Sequence, residues 1–323
     1  MVAAAVVVVA LAVGYLAIGA LAYDELSSLR PDCDGRWTGQ DPSNLQASDR
    51  AGSISFDASG LRFTDYSEVS FPSRDRRPLT IRAWFAPGPA GGDGPVVVLV
   101  HGKGSCRRDP VVLLPAGMLH RAGFAVLVLD LRDHGASDVE DGRWAGGVEE
   151  YRDVLGAWDW LVSRGYREEA IGLFGASLGA ATVTIAMGQE ARVAATWADS
   201  SYSDFGEAAV EYTESEGWPG WVTSAGVFVG RIIGGDDLGA LSPDEELSRL
   251  AGRPYAITHG DQDGTVMLHH ARDNATIATA AGTPVEPWII AGAGHTGGIF
   301  MEPAEYEARL VRFFESALGT PAG

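Results

Sequence analysis

The chain has 323 residues, of which 46% are hydrophobic and 21% charged, so it is long enough for one large globular domain, alone or with a small appendage. Its formal charge of −19 and the lack of any Lys/Arg cluster argue against a nucleic-acid-binding protein. Cys33 and Cys106 provide neither a disulfide framework nor a zinc-binding spacing, and we expect two free thiols, with a single disulfide as the alternative in an exported domain.

The N-terminus carries an uninterrupted apolar segment. Residues 2–23 contain no charged side chain, and as a helix at ~1.5 Å per residue they reach about 33 Å, enough to cross a hydrocarbon core. The sequence therefore predicts a transmembrane anchor. The alternative is a signal peptide cleaved at Ala20-Leu21-Ala22, although the segment is longer than usual for one and nothing basic precedes it.

The side of the membrane is weakly specified by charge. Arg30 and Arg36 come after the apolar segment, and read strictly they favour a cytoplasmic body. A single N-terminal anchor more often exports the domain attached to it. We therefore predict a membrane-anchored, extracytoplasmic body, with a secreted one as the alternative if the segment is removed.

Beyond the apolar segment, residues 24–50 are rich in turn formers and predict a linker, and residues 51–323 predict the globular domain. In that domain short apolar runs alternate with helical patterns, which predicts a doubly wound, mostly parallel α/β sheet. We expect strands at residues 79–86, 96–100, 124–129, 170–174, 193–197, 254–258 and 285–290, and helices at 111–121, 148–163, from 178 onward and at 303–317.

Residues 200–241 interrupt the alternation, because they contain no strand pattern. An inserted lid and a few helices packed over the sheet edge are equal alternatives for this stretch. Its Trp218 and Trp221 lead us to expect a substrate with an apolar acyl or aromatic group, unless they belong to the core.

The strongest local motif is Gly175-Ala176-Ser177-Leu178-Gly179, a G-x-S-x-G between a predicted strand and a predicted helix. In such a turn the serine hydroxyl is held above the sheet, where a bulky neighbour would clash. The motif and its context predict Ser177 as a nucleophile.

A serine nucleophile needs a base and an acid that orients the base. His295 comes after the last predicted strand in a glycine-rich loop and is our candidate base, whereas we place His269 and His270 on a helix surface. After the fifth strand, Asp261 and Asp263 both qualify by position as the acid.

Acyl transfer also requires donors for an oxyanion. The backbone N–H of Leu178, the residue after the nucleophile, is the first candidate, and that of Lys103 in the loop after strand 96–100 is the second. The sequence Gly102-Lys103-Gly104 lacks the spacing of a phosphate-binding loop. We place His101 near this site in a structural role.

Together these segments resemble the α/β-hydrolase superfamily, and most closely its bacterial esterases and the catalytic domain of prolyl-oligopeptidase-like enzymes. The resemblance covers roughly residues 79–318 and rests on five motifs in the family's order: the His-Gly at 101–102, the D-x-R-x-x-G-x-S turn at 130–137, the serine motif, the H-G-x-x-D-x-x-V pattern at 259–266 and the Gly-His at 294–295. In the fourth motif the family's aspartate is the triad acid, which selects Asp263.

The resemblance implies a carboxylesterase-like serine hydrolase with the triad Ser177, Asp263 and His295 and with oxyanion donors at Lys103 and Leu178. Such an enzyme needs no metal and no organic cofactor, and its partner would be a small ester or acyl substrate. The resemblance does not cover the N-terminal segment, and it is that segment which predicts the membrane as a second partner. The alternatives are an acyltransferase or peptidase with the same triad, and a non-catalytic membrane-tethered binding protein.

Overall fold

The computed structural model describes residues 1–29, 33, 35, 37–235 and 237–321. Its centre is an eight-stranded sheet in the order β10-β9-β8-β7-β5-β6-β4-β3, next to a separate two-stranded pair, β1 and β2. The strands are β1 Ala47–Ser48, β2 Ser55–Phe56, β3 Ser67–Pro72, β4 Thr80–Ala86, β5 Val96–Val100, β6 Ala125–Leu129, β7 Ile171–Ala176, β8 Ala195–Asp199, β9 Tyr255–Gly260 and β10 Trp288–Ile290.

The sheet is parallel from β10 through β6, and β4 runs against its two neighbours. Strands β5 and β6 are buried at every position. Strands covered on both faces read as continuous apolar runs, which is why their sequences are so rich in valine and leucine. The predicted doubly wound, mostly parallel sheet is confirmed.

Helices cover both faces of this sheet. Buried residues of α2 and α10 belong to one apolar core, and those of α3, α4 and α8 to the other. The helices are α1 Val2–Ser27, α2 Pro110–Arg121, α3 Tyr151–Ser163, α4 Leu178–Gln189, α5 Phe205–Ser215, α6 Gly220–Val229, α7 Pro243–Leu247, α8 Leu268–Ala280, α9 Gly298–Met301 and α10 Pro303–Leu318.

Helix α1 is long and apolar enough to cross a membrane by length and composition. It continues to Ser27, four residues past the predicted segment, because its last turn is tied to the domain. The Arg143 guanidinium donates to the Ser27 hydroxyl at 2.7 Å and pairs with the Asp24 carboxylate at 2.7 Å.

The sequence did not predict β1, β2 or β3. Strand β3 has few apolar residues and ends at Pro72, as is typical of a sheet edge, and its register comes from pairing with β4. Strand β1 lies within the predicted linker, where Leu45 is fully buried. Part of residues 24–50 is therefore packed on the domain.

The two cysteines form a disulfide, Cys33–Cys106, with Cα atoms 5.5 Å apart. The expectation of two free thiols was therefore wrong. Cys33 lies outside any regular element, so its sequence context gave no indication that it would meet Cys106, 73 positions away.

Residues 200–241 contain helices α5 and α6, then a π-helical turn, Gly230–Gly234, and no strand in the part that the structure describes. Helix α6 lies against the N-terminal helix α1. These helices therefore pack on the N-terminal helix through α6, and we refer to residues 205–235 as the cap.

Candidate active site

Ser177 occupies the turn between β7 and α4. Its backbone has φ 57° and ψ −122°, a conformation that residues other than glycine rarely adopt. Its flanking glycines make this turn possible. A Cβ at Gly175 would overlap the Gly179 carbonyl, and one at Gly179 would overlap the Val100 carbonyl. A strained residue that the surrounding packing holds in place is typical of a functional site.

His295 and Asp263 lie in loops at the ends of neighbouring parallel strands, β10 and β9. The His295 Nε2 lies 2.8 Å from the Ser177 Oγ, and its Nδ1 lies 2.8 Å from the Asp263 Oδ2. The sequence-predicted residues thus form one continuous hydrogen-bonded chain. His295 is partly exposed, so the chain opens toward solvent at the serine end.

Asp263 is buried and held in place from both of its carboxylate oxygens. Its Oδ1 accepts from the backbone N–H groups of Thr265 and Val266, each at 2.9 Å. Burial alone raises the pKa of this carboxyl, but the hydrogen bond and electrostatic attraction to His295 and the Val266 N–H outweigh burial, so the net pKa lies below the usual value. Asp263 is therefore a carboxylate suited to stabilise an imidazolium.

Asp261, the other acid that qualified by position, does not contact His295. It is exposed, and its Oδ1 accepts from the backbone N–H of Gly292 at 2.7 Å. This is the role of a turn aspartate that joins two loops.

The loop that begins at His101 lies directly against Ser177. A Cβ at Gly102 would be 3.1 Å from the Ser177 Cβ and 3.5 Å from its Oγ, so a larger residue there would crowd the serine. In the part of the chain that the structure describes, the backbone N–H groups of Lys103 and Leu178 have no hydrogen-bond acceptor within the protein. Both are free to donate to a ligand.

Two buried histidines hold this loop. The His101 Nε2 accepts from the Leu131 N–H at 3.1 Å, and the His134 Nε2 accepts from the Gly104 N–H at 3.2 Å. Burial lowers the pKa of His101 to about 4, and burial with the neighbouring His101 lowers that of His134 to about 3. Both rings are neutral near pH 7, as their acceptor role requires.

Sequence reasoning missed a buried network behind the triad. The Asp199 carboxylate accepts from the Tyr306 hydroxyl at 2.6 Å and from the Ser200 hydroxyl at 2.9 Å. The Ser200 Oγ in turn accepts from the Thr296 N–H at 3.1 Å, next to His295. Burial raises the pKa of Asp199. An Asp-Ser pair at the carboxyl end of a buried strand is the signal that could have indicated this site.

His269 and His270, which we placed on a helix surface, contact the cap. His269 is partly exposed, but His270 is fully buried, which corrects the expectation for that residue. The Glu211 carboxylate lies 2.8 Å from the His269 Nε2 and 3.2 Å from the His270 Nε2. With Glu207, the two histidines also offer three metal-ligand atoms within 4.8 Å of one another. The hydrogen bonds of Glu211 to the two histidines thus join α5 of the cap to α8 of the domain.

The triad residues fall within a segment that matches a known family. The model of the prolyl oligopeptidase family matches residues 115–321, which include the serine, the aspartate and the histidine of the hydrogen-bonded chain. A 31.7 kDa Escherichia coli protein encoded in the traX–finO intergenic region is 34% identical over 127 residues, which is 38% of this chain and 43% of that protein. The chain thus matches less than half the length of this curated relative.

Solved structures share the fold. An esterase from Pyrococcus furiosus aligns over 85% of this chain and 99% of its own, with a TM-score of 0.65 and 19% identity. The Est1E protein of Butyrivibrio proteoclasticus, solved with ferulic acid, aligns over 76% of this chain and 98% of its own, with a TM-score of 0.57 and 16% identity. At these identities the likeness concerns the α/β-hydrolase fold.

Proposed function

The chain belongs to the prolyl oligopeptidase family and is an α/β-fold serine hydrolase, and from that premise we propose that it cleaves carboxylic esters through an acyl-enzyme intermediate. The observation that carries the proposal is the hydrogen-bonded chain from Ser177 through His295 to Asp263. In this proposal Ser177 is the nucleophile, His295 the general base and Asp263 the orienting acid.

In the first half-reaction the Ser177 Oγ bonds to the ester carbonyl carbon while its proton passes to the His295 Nε2. The carbonyl π electrons move to oxygen, and the N–H groups of Lys103 and Leu178 donate to that oxyanion. Collapse of the intermediate expels the alcohol, which takes the proton from His295.

In the second half-reaction water attacks the acyl-enzyme and gives its proton to His295. The new oxyanion collapses, the carboxylic acid leaves, and the proton returns to the Ser177 Oγ. Each step uses only side-chain and backbone groups of this chain, so the proposal includes no metal or organic cofactor. The substrate is a small ester or acyl compound.

The same triad supports two related activities. An acyltransferase would pass the acyl group to an alcohol in preference to water, and a peptidase would cleave an amide, as the family's name leads one to consider. A non-catalytic, membrane-tethered binding protein is the alternative from another class. The family match and the assembled hydrogen-bonded chain favour the hydrolase.

A series of p-nitrophenyl esters, assayed with the full-length protein in detergent, tests the proposal. We expect turnover of the esters and little turnover of p-nitroanilides with the same acyl groups. When an alcohol is added, the free carboxylic acid should remain the main product, with little acylated alcohol. Faster anilide cleavage would indicate a peptidase, and acylated alcohol as the main product an acyltransferase. The Ser177→Ala variant is the blank, and equal turnover by it would exclude this mechanism.

For the whole chain we propose residues 1–23 as the membrane segment, 24–50 as a partly packed connection, and 51–323 as the hydrolase domain with the cap in its 200–241 insertion. We further propose that α1 is a retained anchor and that the domain is extracytoplasmic. The Cys33–Cys106 disulfide supports this location, because such bonds persist mainly in oxidising compartments.

A C-terminal fusion distinguishes the two sides of the membrane. Alkaline phosphatase fused after Gly323 should be active and green fluorescent protein dark at an extracytoplasmic location. The opposite pair of results would place the domain in the cytoplasm.

A further inference from the structure

The cap exposes an apolar surface beside α1. Its members are large apolar side chains that are between 47% and 68% exposed, and we call them the cap face: Trp218, Trp221, Phe228, Ile232 and Ile233. We propose that the cap face enters the membrane leaflet next to α1, so that the domain contacts the bilayer through the cap as well as through its anchor.

Close packing fixes α6 against α1. A Cβ at Gly19 would lie 2.6 Å from the Ala225 carbonyl oxygen, and one at Gly226 would lie 3.0 Å from the Ala22 Cβ. Two helices approach this closely only where glycines remove the side chains between them, a contact that also occurs within lipid. The Tyr15 ring extends the contact, with its centroid 6.5 Å from that of Trp221.

The position of the α6 contact along α1 sets the depth at which the cap face would lie in the membrane. About 20 helical residues are needed to cross a bilayer core, and counted from Val2 they end at Leu21. The α6 contacts with α1 begin at Tyr15 and continue to Ala22 and Tyr23. If α1 crosses the membrane, α6 therefore overlaps the last third of the crossing, where acyl chains give way to headgroups.

The composition of the cap face suits that depth. Tryptophan is enriched where acyl chains meet headgroups, because its ring is apolar and its N–H is polar. Leu11 and Val8 of α1 are also largely exposed, so the apolar surface continues from the cap face along the anchor.

The bilayer is the occupant that these observations favour over a second copy of the chain. A dimer would bury the cap face but would not require it to be continuous with a helix of membrane-crossing length. The overlap with α1 has a direct explanation only if both surfaces meet the same lipid.

The proposed contact between the cap face and the bilayer also bears on the choice of substrate, and this step rests on the proposed function. The Leu26 carbonyl, just past the membrane segment, accepts from the Lys103 Nζ at 2.6 Å and from the Trp144 Nε1 at 2.5 Å. The loop with the second oxyanion donor is thus attached to the end of α1. A site so close to the bilayer suits esters that partition into lipid.

Tryptophan quenching in full-length protein tests the cap face directly. The protein is reconstituted in phosphatidylcholine vesicles with lipids brominated either near the headgroup or near the acyl terminus. We expect shallow bromines to quench more than deep ones, and Trp218→Phe with Trp221→Phe to remove at least half of the quenchable signal. Trp160→Phe, a half-buried residue of α3 that packs on Phe71 and Phe85, is the matched control and should leave the signal unchanged.

Three results would overturn the proposal. Quenching equal in the double variant and the wild type would show that the cap face lies outside the bilayer. Absence of quenching in the wild-type protein, together with a cross-linked dimer, would show that a second copy of the chain covers the cap face. Vesicle-bound protein that begins after Ala22 by mass spectrometry would remove the anchor on which the depth argument stands. None of these readouts depends on ester hydrolysis, so the two proposals fail separately.

Discussion

At the scale of single residues, the candidate site depends on which aspartate supports His295. Asp263 and Asp261 are two positions apart, yet one is buried against the Nδ1 of His295 and the other is exposed on Gly292. The motif pattern selected Asp263 by resemblance, and the geometry gives a physical reason for the choice. This pair provides a variant and its matched control.

Asp263→Asn should lower kcat for an ester by roughly 10³- to 10⁴-fold, because an amide stabilises the wrong imidazole tautomer and no longer balances the imidazolium. Asp261→Asn should stay within a few-fold of the wild type. Both are measured by steady-state kinetics, with circular dichroism as a check on folding. Equal losses in the two variants would contradict the assignment of roles.

The neutral histidines that hold the loop beside Ser177 make the stability of the protein depend on pH. Burial sets the folded pKa at about 4 for His101 and about 3 for His134, below the ordinary value of 6.5. Below pH 6.5 the unfolded chain binds protons that the folded chain does not, so this stability is present above pH 6.5 and is lost as pH falls toward 4.

Between pH 7.5 and 5 we expect each of these histidines to reduce the free energy of unfolding by about 2 kcal/mol. Guanidinium unfolding of the wild type and of His134→Gln at pH 7.5, 6 and 5 measures the effect. The glutamine amide oxygen can still accept from Gly104 but does not titrate, so the variant should lose stability less steeply. Parallel pH curves for the two proteins would disprove this origin.

At the scale of elements, the loop from His101 to α2 is held by parts of the chain that precede the sheet. The Cys33–Cys106 disulfide and the hydrogen bond from Arg108 to the Gln40 carbonyl, at 2.7 Å, join it to residues of the predicted linker. Lys103 contacts the end of α1. The segment before the domain thus supports the loop of the candidate active site.

Replacing both cysteines by serine should lower the free energy of unfolding by about 4 kcal/mol, since the bond closes a loop of 73 residues in the unfolded chain. Denaturant midpoints of the wild type with and without dithiothreitol, beside the double variant under both conditions, measure the change. Reduced wild type should match the double variant, and reductant should not affect that variant. Unchanged midpoints throughout would mean that the bond adds no stability.

The sequence predicted the central strands because each of them is buried on both faces and is therefore apolar throughout. Strand β5 has the predicted bounds, Val96–Val100. The sequence could not predict β3, because the pairing of that strand comes from its neighbour β4. Nor could it predict the disulfide, because that bond depends on how a segment without periodicity packs. Interactions between distant segments are the part that local patterns do not encode.

The same division holds for the site. Ser177, His295 and Asp263 occur in short motifs at strand ends, so the topology of a parallel sheet brings them to one edge. The Asp199–Tyr306 hydrogen bond joins β8 to α10 across 107 positions, and no local sequence pattern predicts it. The packing of α6 on α1 was likewise beyond reach, because each helix alone shows only that it is apolar.

At the scale of the whole molecule, the apolar helix α1, the cap and the hydrolase domain form one connected structure. Helix α1 packs on the cap along residues 15–23, and its Leu26 carbonyl accepts a hydrogen bond from Lys103 in the loop beside Ser177. The hydrogen-bonded Ser-His-Asp chain is therefore supported both by the sheet and by the N-terminal segment. The central claim remains that Ser177 is an activated nucleophile.

Labelling of the full-length protein with a fluorophosphonate probe tests that claim most directly, since the probe bonds to serines activated by an adjacent base. We predict stoichiometric labelling of the wild type, with the adduct on the peptide that contains Ser177, and no labelling of a folded Ser177→Ala variant. Absence of labelling in the folded wild type, or equal labelling of the variant, would contradict the account and would favour a binding protein that retains the fold of a hydrolase.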